Sequence, residues 1–242
     1  MKRFCDITIS AAGLLALSPL LLLLFLLVWL QDRHSPFYIA CRVGLNRKPF
    51  RMVKLRSMVI NADKTGVDST SADDKRITAV GKFIRKTKMD EFMQLWNVLI
   101  GDMSLVGPRP NVERHGVELY TQEEIKLLSV RPGITDLASI VFSDEGDILA
   151  GSENPDLKYN QVIRPWKSRL GLLYVCKQCL WLDFACIILT AAAILSKPQA
   201  LRGINFILNT LKAEPQLIKV CLRNNELEPF PPPGASEVAN HS

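Results

Sequence analysis

The residues with the clearest potential for chemistry lie between positions 85 and 110. Asp90 and Glu91 are adjacent in the sequence, and three cations precede them: Arg85, Lys86 and Lys88. Neighbouring carboxylates beside a group of cations could hold a divalent metal ion together with a polyphosphate. The same two acids could equally be ordinary residues in the first turn of a helix, where the macrodipole favours anions. The residue types alone leave both interpretations open.

These acids must be positioned by a helix, which the spacing of apolar residues predicts from about Lys88 to Ile100. Thr87, with Asp90 three residues later, resembles a weak capping box at its start, and Gly101 follows its end. The residues at helical spacing, expected to form one buried stripe, are Met89, Phe92, Met93, Trp96, Leu99 and Ile100.

A second candidate group lies just beyond this helix, in the segment Gly107-Pro-Arg-Pro110. The two prolines restrict the backbone on both sides of Arg109, and Pro110 disfavours a helical conformation at Arg109 itself. A guanidinium on such a stiff loop is suited to bidentate contact with phosphate oxygens. The alternative is a rigid turn with a solvated arginine.

The N-terminal stretch from Ile7 to Leu30 contains no charged residue. At about 1.5 Å per residue it is long enough to cross a hydrocarbon core of about 30 Å. It is too long for a signal peptide and has no small-residue cleavage site, so we expect a retained membrane element. Ser18 and Pro19 lie near its middle, where proline removes a backbone hydrogen bond and predicts a kink.

Basic residues flank both ends of this apolar stretch, so the positive-inside rule favours neither orientation. A helix broken at Pro19 that enters and leaves by the same leaflet would satisfy this symmetry, and an ordinary kinked spanning helix is the alternative. The flanking basic residues are Lys2 and Arg3 on one side and Arg33, Arg42, Arg47 and Lys48 on the other.

Several further elements follow from local patterns. Alternating apolar residues predict two strands, Phe37 to Cys41 and Phe50 to Leu55, around a turn at Gly44 to Asn46. The polar stretch from Asn61 to Asp74 predicts a loop. A short helix from Thr121 to Val130 would be capped by Thr121, with Glu124 in the reciprocal position.

The later part of the chain is less regular. The acidic stretch from Ser143 to Lys158 predicts an exposed loop, and the polar sequence from Glu214 onward predicts disorder. The segment from Leu170 to Leu195 is apolar, but Lys177 and Asp183 interrupt it, and its longest uncharged run, Phe184 to Leu195, is too short to span a membrane. A helix that lies in the membrane interface or closes the core fits it better.

Length and composition set outer limits. With 242 residues, the chain can form one core plus a membrane segment. Its net charge of +6 suggests that it binds anionic lipid headgroups or an anionic substrate. Nucleic acid is disfavoured because no zinc-finger or aromatic-interleaved basic motif occurs. Cys176 and Cys179 have no second pair to complete a zinc site, so buried free thiols are expected.

Taken together, the motifs resemble the bacterial sugar transferase family, the monotopic phosphoglycosyl transferases that make polyprenol-linked sugars. The resemblance runs in the family's order from about Met1 to Thr190. The matching segments are Lys54-Leu-Arg-Ser-Met58, Asp74-Lys-Arg-Ile-Thr78, Gly81-Lys-Phe-Ile-Arg-Lys86, Asp90-Glu91, Gln94-Leu-Trp-Asn-Val98, Gly101-Asp-Met-Ser-Leu-Val-Gly-Pro-Arg-Pro110 and Arg131-Pro-Gly-Ile-Thr135.

The chain also departs from the family pattern. Members commonly read Asp-Glu-Leu-Pro-Gln where this chain has Asp90-Glu-Phe-Met-Gln94. After Thr135 many members continue Gly-Trp-Ala-Gln, whereas this chain reads Asp136-Leu-Ala-Ser139. The second departure falls in the region expected to form the substrate pocket.

The resemblance implies an α+β fold that is mainly helical: a membrane-associated single domain with a small β-hairpin. Residues 1–34 would form a re-entrant membrane helix broken at Ser18 and Pro19. Residues 35–200 would form the cytoplasmic catalytic domain with interfacial helices, and residues 201–242 a C-terminal extension disordered towards its end. The implied location is the bacterial inner membrane, with the catalytic domain on the cytoplasmic face, and a homodimer is compatible with the resemblance.

The implied reaction is transfer of a sugar 1-phosphate from a UDP-sugar to polyprenyl phosphate, with release of UMP. Asp90 would be the nucleophile, and Asp90 and Glu91 would hold Mg²⁺. The residues expected to bind substrate are Arg85, Lys86, Arg109, Arg131, Thr135 and Asp183. Two alternatives stand beside this: a membrane glycosyltransferase that releases UDP, and a non-catalytic scaffold of a polysaccharide assembly complex.

Overall fold

The structure is a computed structural model that describes residues 1–62, 74–113 and 117–240. The described part is mainly helical, as predicted, while the loop predicted from Asn61 to Asp74 lies almost entirely outside it. The α-helices are α1 (Lys2–Asp32), α2 (Ala79–Lys86), α3 (Gln94–Ile100), α4 (Leu137–Val141), α5 (Glu145–Leu149), α6 (Pro155–Lys158), α7 (Arg164–Lys177), α8 (Leu180–Leu195), α9 (Lys197–Thr210) and α10 (Pro215–Cys221). The strands are β1 (Phe37–Val43), β2 (Pro49–Leu55), β3 (Ser104–Val106) and β4 (Gly133–Thr135).

The short helix α4 lies at the centre of the main hydrophobic core. It packs against α7, α8 and α9, which surround it. Its side chains Leu137, Ile140 and Val141 are at most 1% exposed. Burying each of them contributes about 1.5–3 kcal/mol to folding, which is enough to hold so short a helix in place.

The predicted hairpin is confirmed. Strands β1 and β2 pair antiparallel, with Ala40 opposite Met52, and both of these side chains join the main core. Asn46, in the connecting turn, has a φ of 53°. Asparagine tolerates this left-handed conformation better than most residues, because its short polar side chain can bond locally.

α1 is one continuous helix of 31 residues, and it is not interrupted at Ser18 and Pro19. The predicted break is therefore not seen, and the reason is local. Proline at position 19 lacks the N–H that would bond the carbonyl of Leu15. The hydroxyl of Ser18 donates to that same carbonyl at 2.8 Å and takes the place of the missing donor.

Both ends of α1 are fixed to the rest of the domain. Near its start, Lys2 forms an ion pair with Asp183 of α8, with an Nζ–Oδ2 distance of 2.7 Å. At its end, Asp32 accepts two hydrogen bonds from Arg56, at 2.6 and 2.7 Å. The two termini of this apolar helix therefore attach to the same body.

α1 and α8 expose apolar surface. Within the described residues, α1 is the helix long and apolar enough to cross a membrane by length and composition, with a mean hydropathy of 2.6. One face of α8 also points outward: its exposed large side chains include Trp181, Phe184, Ile188 and Leu195, spaced three to seven residues apart. Exposed apolar patches of this kind mark contact with lipid or with another protein.

Two predictions about the later chain are wrong. The stretch from Ser143 to Lys158 is not a simple exposed loop, because it contains α5 and α6, and Leu149 is fully buried. The predicted disorder after Glu214 fails as well. Helix α10 buries Leu217 in the core, and Phe230 stacks on Trp166 with ring centroids 4.5 Å apart. Both predictions failed because apolar residues within these polar stretches pack into the core.

The cysteines are free thiols, as expected, but the predicted burial of Cys176 and Cys179 is wrong because both are exposed. Cys176 lies near the end of α7, and Cys179 lies in the short connection to α8, where the two helices separate. Cys186 and Cys221 are buried in the core.

Candidate active site

The acidic pair sits in a break between two helices. α2 ends at Lys86, and Lys88 adopts a left-handed conformation with a φ of 57°. A single 3₁₀ turn, Met89–Glu91, then carries both carboxylates. The predicted uninterrupted helix from Lys88 is wrong, and so is its cap. The Thr87 hydroxyl points backwards and donates to the carbonyl of Phe83 at 2.9 Å.

The predicted buried stripe is also incorrect. α3 is shorter than expected, and Trp96 and Ile100 are 50% and 55% exposed. The face that is buried consists of Gln94, Asn97 and Val98. Apolar spacing alone missed this face because two of its three side chains are polar.

Asn97 explains why a polar residue is buried in α3. Its side-chain carbonyl accepts from the backbone N–H of Val53 at 2.9 Å, and its amide donates to the carbonyl of Arg51 at 2.7 Å. Both partners belong to β2, so Asn97 fixes the hairpin onto α3. Lys54, the next residue of β2, is thereby placed beside the acidic pair.

Among the described residues, Lys54 and Arg109 are the cations within 4.0 Å of the pair. The Nζ atom of Lys54 lies 4.0 Å from Oδ2 of Asp90 and 3.9 Å from Oε1 of Glu91. Arg109 donates a hydrogen bond to the same Glu91 oxygen. Among the described residues none donates a hydrogen bond to the Asp90 carboxylate, although Asp90 is only 8% exposed. The two acids therefore have different surroundings.

These surroundings shift the pKa values of the two acids in opposite directions. Burial raises the pKa of Asp90, and the positive charge of Lys54 acts against that rise. Burial would also raise the pKa of Glu91, but the charges of Arg109 and Lys54 outweigh it and lower the pKa to about 2. Paired groups whose pKa values diverge are a frequent mark of divided catalytic roles. Glu91 therefore keeps its negative charge, whereas the ionised form of Asp90 is less stabilised by its surroundings.

Burial also affects Lys54. It lowers the pKa of Lys54 to about 8, with a further contribution from the positive charge of Arg109, while the two acids act in the opposite sense. A lysine close to its titration point responds strongly to an arriving anion. Lys54 was part of a motif in the sequence but was not predicted as a site residue.

Further cations surround the pair. The charge of Arg85 acts on Asp90, and the charge of Lys88 acts on Glu91. Lys86 lies exposed at the end of α2. Within the described residues, the two carboxylates are therefore outnumbered by four cations: Lys54, Arg85, Lys88 and Arg109. Such a positive excess suits a diphosphate.

The loop that carries Arg109 is fixed by two glycines. β3 and β4 pair in parallel, with Ser104 opposite Gly133. A Cβ at Gly107 would approach the carbonyl of Arg131 to 2.5 Å, and one at Gly133 would approach the Gly107 nitrogen to 2.1 Å. Only glycine allows the two backbones to come this close. This contact sets the position from which Arg109 reaches Glu91.

Two other predicted substrate residues lie near this loop but face other groups. Arg131 is exposed and donates to the carbonyl of Gly101 at 2.9 Å, at the C-terminal end of α3. The hydroxyl of Thr135 is 2.6 Å from that of Thr190. For the residues described here, neither makes a contact with Asp90 or Glu91.

The remaining predicted substrate residue, Asp183, belongs to a different cluster. One of its oxygens accepts from Lys2, and the other accepts from the hydroxyl of Tyr174 at 2.6 Å. Lys2 also donates to the carbonyl of Val106 at 3.1 Å. In this arrangement Asp183 holds the start of α1 in place.

The structure adds a cluster that the sequence did not predict. Glu145 of α5 forms an ion pair with Lys167 of α7. The Nζ atom of Lys167 lies 5.3 Å from the centre of the Tyr159 ring. Tyr159 begins a π-helical turn, Tyr159–Ile163, and such turns occur often at functional sites. The charge of Arg109 acts on Glu145, so this cluster adjoins the acidic pair.

Asp90 and Glu91 also fit a role in holding magnesium. The described part of the chain contains no group of three or more His, Cys, Asp or Glu side chains suited to a metal. Mg²⁺ in phosphate-transfer enzymes is typically held by one or two carboxylates together with substrate phosphates and waters. Two adjacent carboxylates, one of them without a hydrogen bond from the described residues, meet that requirement.

Comparison with known proteins places the chain among sugar transferases. It is 35% identical over 192 residues to a UDP-glucose:undecaprenyl-phosphate glucose-1-phosphate transferase of Klebsiella pneumoniae, covering 78% of this chain and 39% of that protein. It is 35% identical over 215 residues to an undecaprenyl-phosphate galactose phosphotransferase of Salmonella typhimurium, covering 83% of this chain and 41% of that protein.

A third relative is named for the transfer of a different sugar. The chain is 33% identical over 199 residues to a UDP-N-acetylgalactosamine-undecaprenyl-phosphate N-acetylgalactosaminephosphotransferase of Aeromonas hydrophila, covering 81% of this chain and 44% of that protein. The chain thus spans less than half the length of these three relatives. The family model for bacterial sugar transferases matches residues 1–197. The chain therefore belongs to the bacterial sugar transferase family.

Proposed function

We propose that this protein transfers a sugar 1-phosphate from a UDP-sugar to undecaprenyl phosphate and releases UMP, as the first membrane step in assembly of a glycoconjugate. The observation that carries the proposal is the asymmetric carboxylate pair. Asp90 is nearly buried and receives no hydrogen bond from the described residues, while its neighbour Glu91 is held by Arg109 and Lys54. The names of the relatives support the substrate classes.

In the first step, an Asp90 carboxylate oxygen attacks the phosphorus that bears the sugar. A new O–P bond forms, the bond between that phosphorus and the bridging oxygen breaks, and UMP leaves with the bonding electrons. Lys54 and Arg109 stabilise the negative charge that develops on the phosphate oxygens. The product is an aspartyl phosphosugar.

In the second step, a phosphate oxygen of the polyprenyl acceptor attacks the same phosphorus. The aspartyl O–P bond breaks and Asp90 returns as a carboxylate, leaving a polyprenyl diphosphate sugar. No net proton is gained or lost by Asp90 over the cycle. Glu91 keeps its negative charge throughout and holds Arg109 in place.

Magnesium is part of the proposal. When bound, Mg²⁺ neutralises the diphosphate and polarises the bonds that are made and broken. Asp90 and Glu91 are the groups of this chain that would hold it, together with the phosphates of the substrate. Lys54 and Arg109 supply further positive charge from the protein side.

The proposed location is the bacterial inner membrane, with the catalytic domain on the cytoplasmic face. A helix of 31 residues would be about 46 Å long, so a spanning helix would place its two ends on opposite sides of the bilayer. Attachment of Lys2 to Asp183 and of Asp32 to Arg56 instead supports an unbroken helix that lies along one side of the body, with both ends at the same leaflet. The exposed apolar face of α8 supports membrane contact of the same body.

The test is an assay of detergent-purified protein with Mg²⁺, undecaprenyl phosphate and a panel of UDP-sugars, with identification of the released nucleotide. We expect UMP, and we expect a chelator to abolish its release. Release of UDP would mean transfer of the sugar alone and would remove the role given to Asp90. No nucleotide release with any donor would instead favour a non-catalytic scaffold.

A further inference from the structure

The cluster of Glu145, Lys167 and Tyr159 is not used by the proposed reaction, yet it gathers groups that can bind a polar ligand. Glu145 and Lys167 form an ion pair and stay partly accessible, with side chains 31% and 17% exposed. The Tyr159 ring lies against the Lys167 ammonium at 5.3 Å. An acceptor, a donor and an aromatic face are thus gathered at one place.

The loop of Arg109 lies against the helix that carries Lys167: a Cβ at Gly171 of α7 would lie 3.7 Å from Cβ of Pro108, and Lys167 is one turn before Gly171. Arg109 donates to Glu91 on one side, and its charge acts on Glu145 on the other. On the Glu91 side, cations exceed carboxylates. On the Glu145 side, Glu145 and Lys167 form an ion pair that carries no net charge of its own. A substrate that is anionic at one end and neutral at the other matches this division.

We infer that Glu145, Lys167 and Tyr159 form the subsite for the sugar of the nucleotide donor, an inference that rests on the proposed function. The carboxylate of Glu145 accepts hydrogen bonds from sugar hydroxyls, the ammonium of Lys167 donates to them, and the Tyr159 ring packs on the apolar face of the sugar. With the diphosphate held at Arg109, the adjoining sugar extends towards this ion pair.

The subsite predicts a class of sugar. Because Lys167 is already paired with Glu145, a uronic acid would bring a second carboxylate to one ammonium group, which disfavours its binding. A neutral or N-acetylated hexose brings hydroxyls that both charged groups can use. The structure therefore assigns an uncharged sugar to this site.

The position of Tyr159 is supported by the C-terminal segment. The backbone N–H of Phe230 donates to the carbonyl of Gln161 at 3.0 Å. The Gln161 side chain donates to the carbonyl of Ala239 at 2.9 Å. Gln161 lies within the π-helical turn that Tyr159 begins, so this segment holds the turn from outside. It lies beyond the residues that match the family model, 1–197.

The experiment measures UMP release by wild type, Glu145→Gln and Lys167→Met. The donors are UDP-glucose, UDP-galactose, their N-acetyl derivatives and UDP-glucuronate, with kcat/KM determined for each. Lys197→Met is the matched control, because Lys197 pairs with Asp144 and lies outside the site. We expect wild type to prefer uncharged sugars. For each enzyme we compare kcat/KM for its best donor with kcat/KM for the donor whose sugar is inverted at one hydroxyl. In both site variants this ratio should fall about tenfold or more, because removing a hydrogen-bonding partner of the sugar hydroxyls removes discrimination between them.

A charge-swapped double variant, Glu145→Lys with Lys167→Glu, separates recognition from stability. It keeps the ion pair, so a merely structural bridge would be restored and the donor ranking would return to that of wild type. For a sugar subsite, we expect the ranking to stay altered. Thermal unfolding of each variant shows that the swap has preserved the fold.

The outcomes are distinct. UMP release with an unchanged donor ranking in folded Glu145→Gln and Lys167→Met proteins would overturn this inference alone. An equal loss for every donor would also overturn it. Absence of UMP from wild type with all donors would overturn the proposed function and this inference with it.

Discussion

Arg109 donates a hydrogen bond to Glu91 from a loop 18 residues further along the chain. This contact leaves the adjacent Asp90 with Lys54, at 4.0 Å, as its cationic partner in the described part of the chain. Two neighbouring acids of similar chemistry are therefore made different by a single loop. One is paired with a guanidinium, and the other receives no hydrogen bond from the described residues.

The first prediction concerns this difference. Asp90→Asn should abolish UMP release, because an amide cannot act as the nucleophile. It should also abolish the mass increase of one sugar phosphate that we expect on wild type incubated with donor alone. Asp147→Asn, a change at an exposed acid of α5, is the control and should behave as wild type. UMP release by Asp90→Asn comparable to wild type would refute the nucleophile assignment.

The second prediction concerns pH. The pKa of Lys54 is lowered to about 8, so Lys54 is charged below that pH and neutral above it. If its charge stabilises the phosphate, kcat/KM should fall as the pH rises through about 8, since kcat/KM reports groups of the free enzyme. Lys54→Arg should shift this decline to higher pH, and Lys54→Met should lower kcat/KM about 100-fold. A decline at the same pH in Lys54→Arg would show that another group titrates.

The third prediction concerns the continuity of α1 at Pro19. Ser18→Ala removes the donor to the Leu15 carbonyl and should lower the free energy of unfolding by about 1–3 kcal/mol. Pro19→Leu supplies a backbone N–H for the same carbonyl. The double variant Ser18→Ala/Pro19→Leu should therefore recover the loss. Thermal unfolding in detergent measures both effects, and a double variant no more stable than Ser18→Ala would contradict this account.

The fourth prediction concerns the topology of α1. In a cysteine-free background, single cysteines at Phe4 and His34 report the two ends of the helix. We expect both to be protected from a membrane-impermeant maleimide in intact spheroplasts, and both to react after lysis. Labelling of only one end in intact cells would show that α1 spans the membrane.

The fifth prediction concerns the C-terminal segment. Phe230→Ala removes the stacking on Trp166 and loosens the hold on the π-helical turn. We expect kcat/KM for the sugar donor to fall several-fold, and thermal stability to drop by a few degrees, as for a loss of about 1–2 kcal/mol. Phe230→Trp keeps an aromatic ring at this position and should retain most of the activity. If Phe230→Ala kept full activity, the segment would have no part in positioning Tyr159.

Local signals in the sequence selected residues that the structure brings together, Glu91 and Arg109. The acidic pair and Arg109 could be selected because their chemistry is concentrated within 20 residues and fixed by glycine and proline. The reciprocal cap of Thr121 and Glu124 is also confirmed: each backbone nitrogen donates to the other residue's side-chain oxygen, with N–O distances of 3.0 and 3.2 Å. Glu124 does more than cap, however. It is fully buried and paired with Arg164, a partner 40 residues away.

The sequence could not locate the rest, because the contacts depend on packing between distant elements. Lys54 reaches the acids only because Asn97 joins β2 to α3. Glu145 and Lys167 are separated by 22 residues and lie on different helices. The buried face of α3 was missed for a related reason: its polar side chains are buried by hydrogen bonds, which apolar periodicity does not detect.

The attachment of α1 at both ends has a mechanical consequence. A free membrane helix adapts to bilayer thickness by tilting independently of the rest of its protein. Here Lys2 and Asp32 are joined to Asp183 and Arg56, so any tilt of α1 must rotate the entire body. Bilayer thickness would then alter the angle at which Asp90 faces the proposed polyprenyl phosphate acceptor. The proposed activity in vesicles should therefore depend on the acyl-chain length of the lipids.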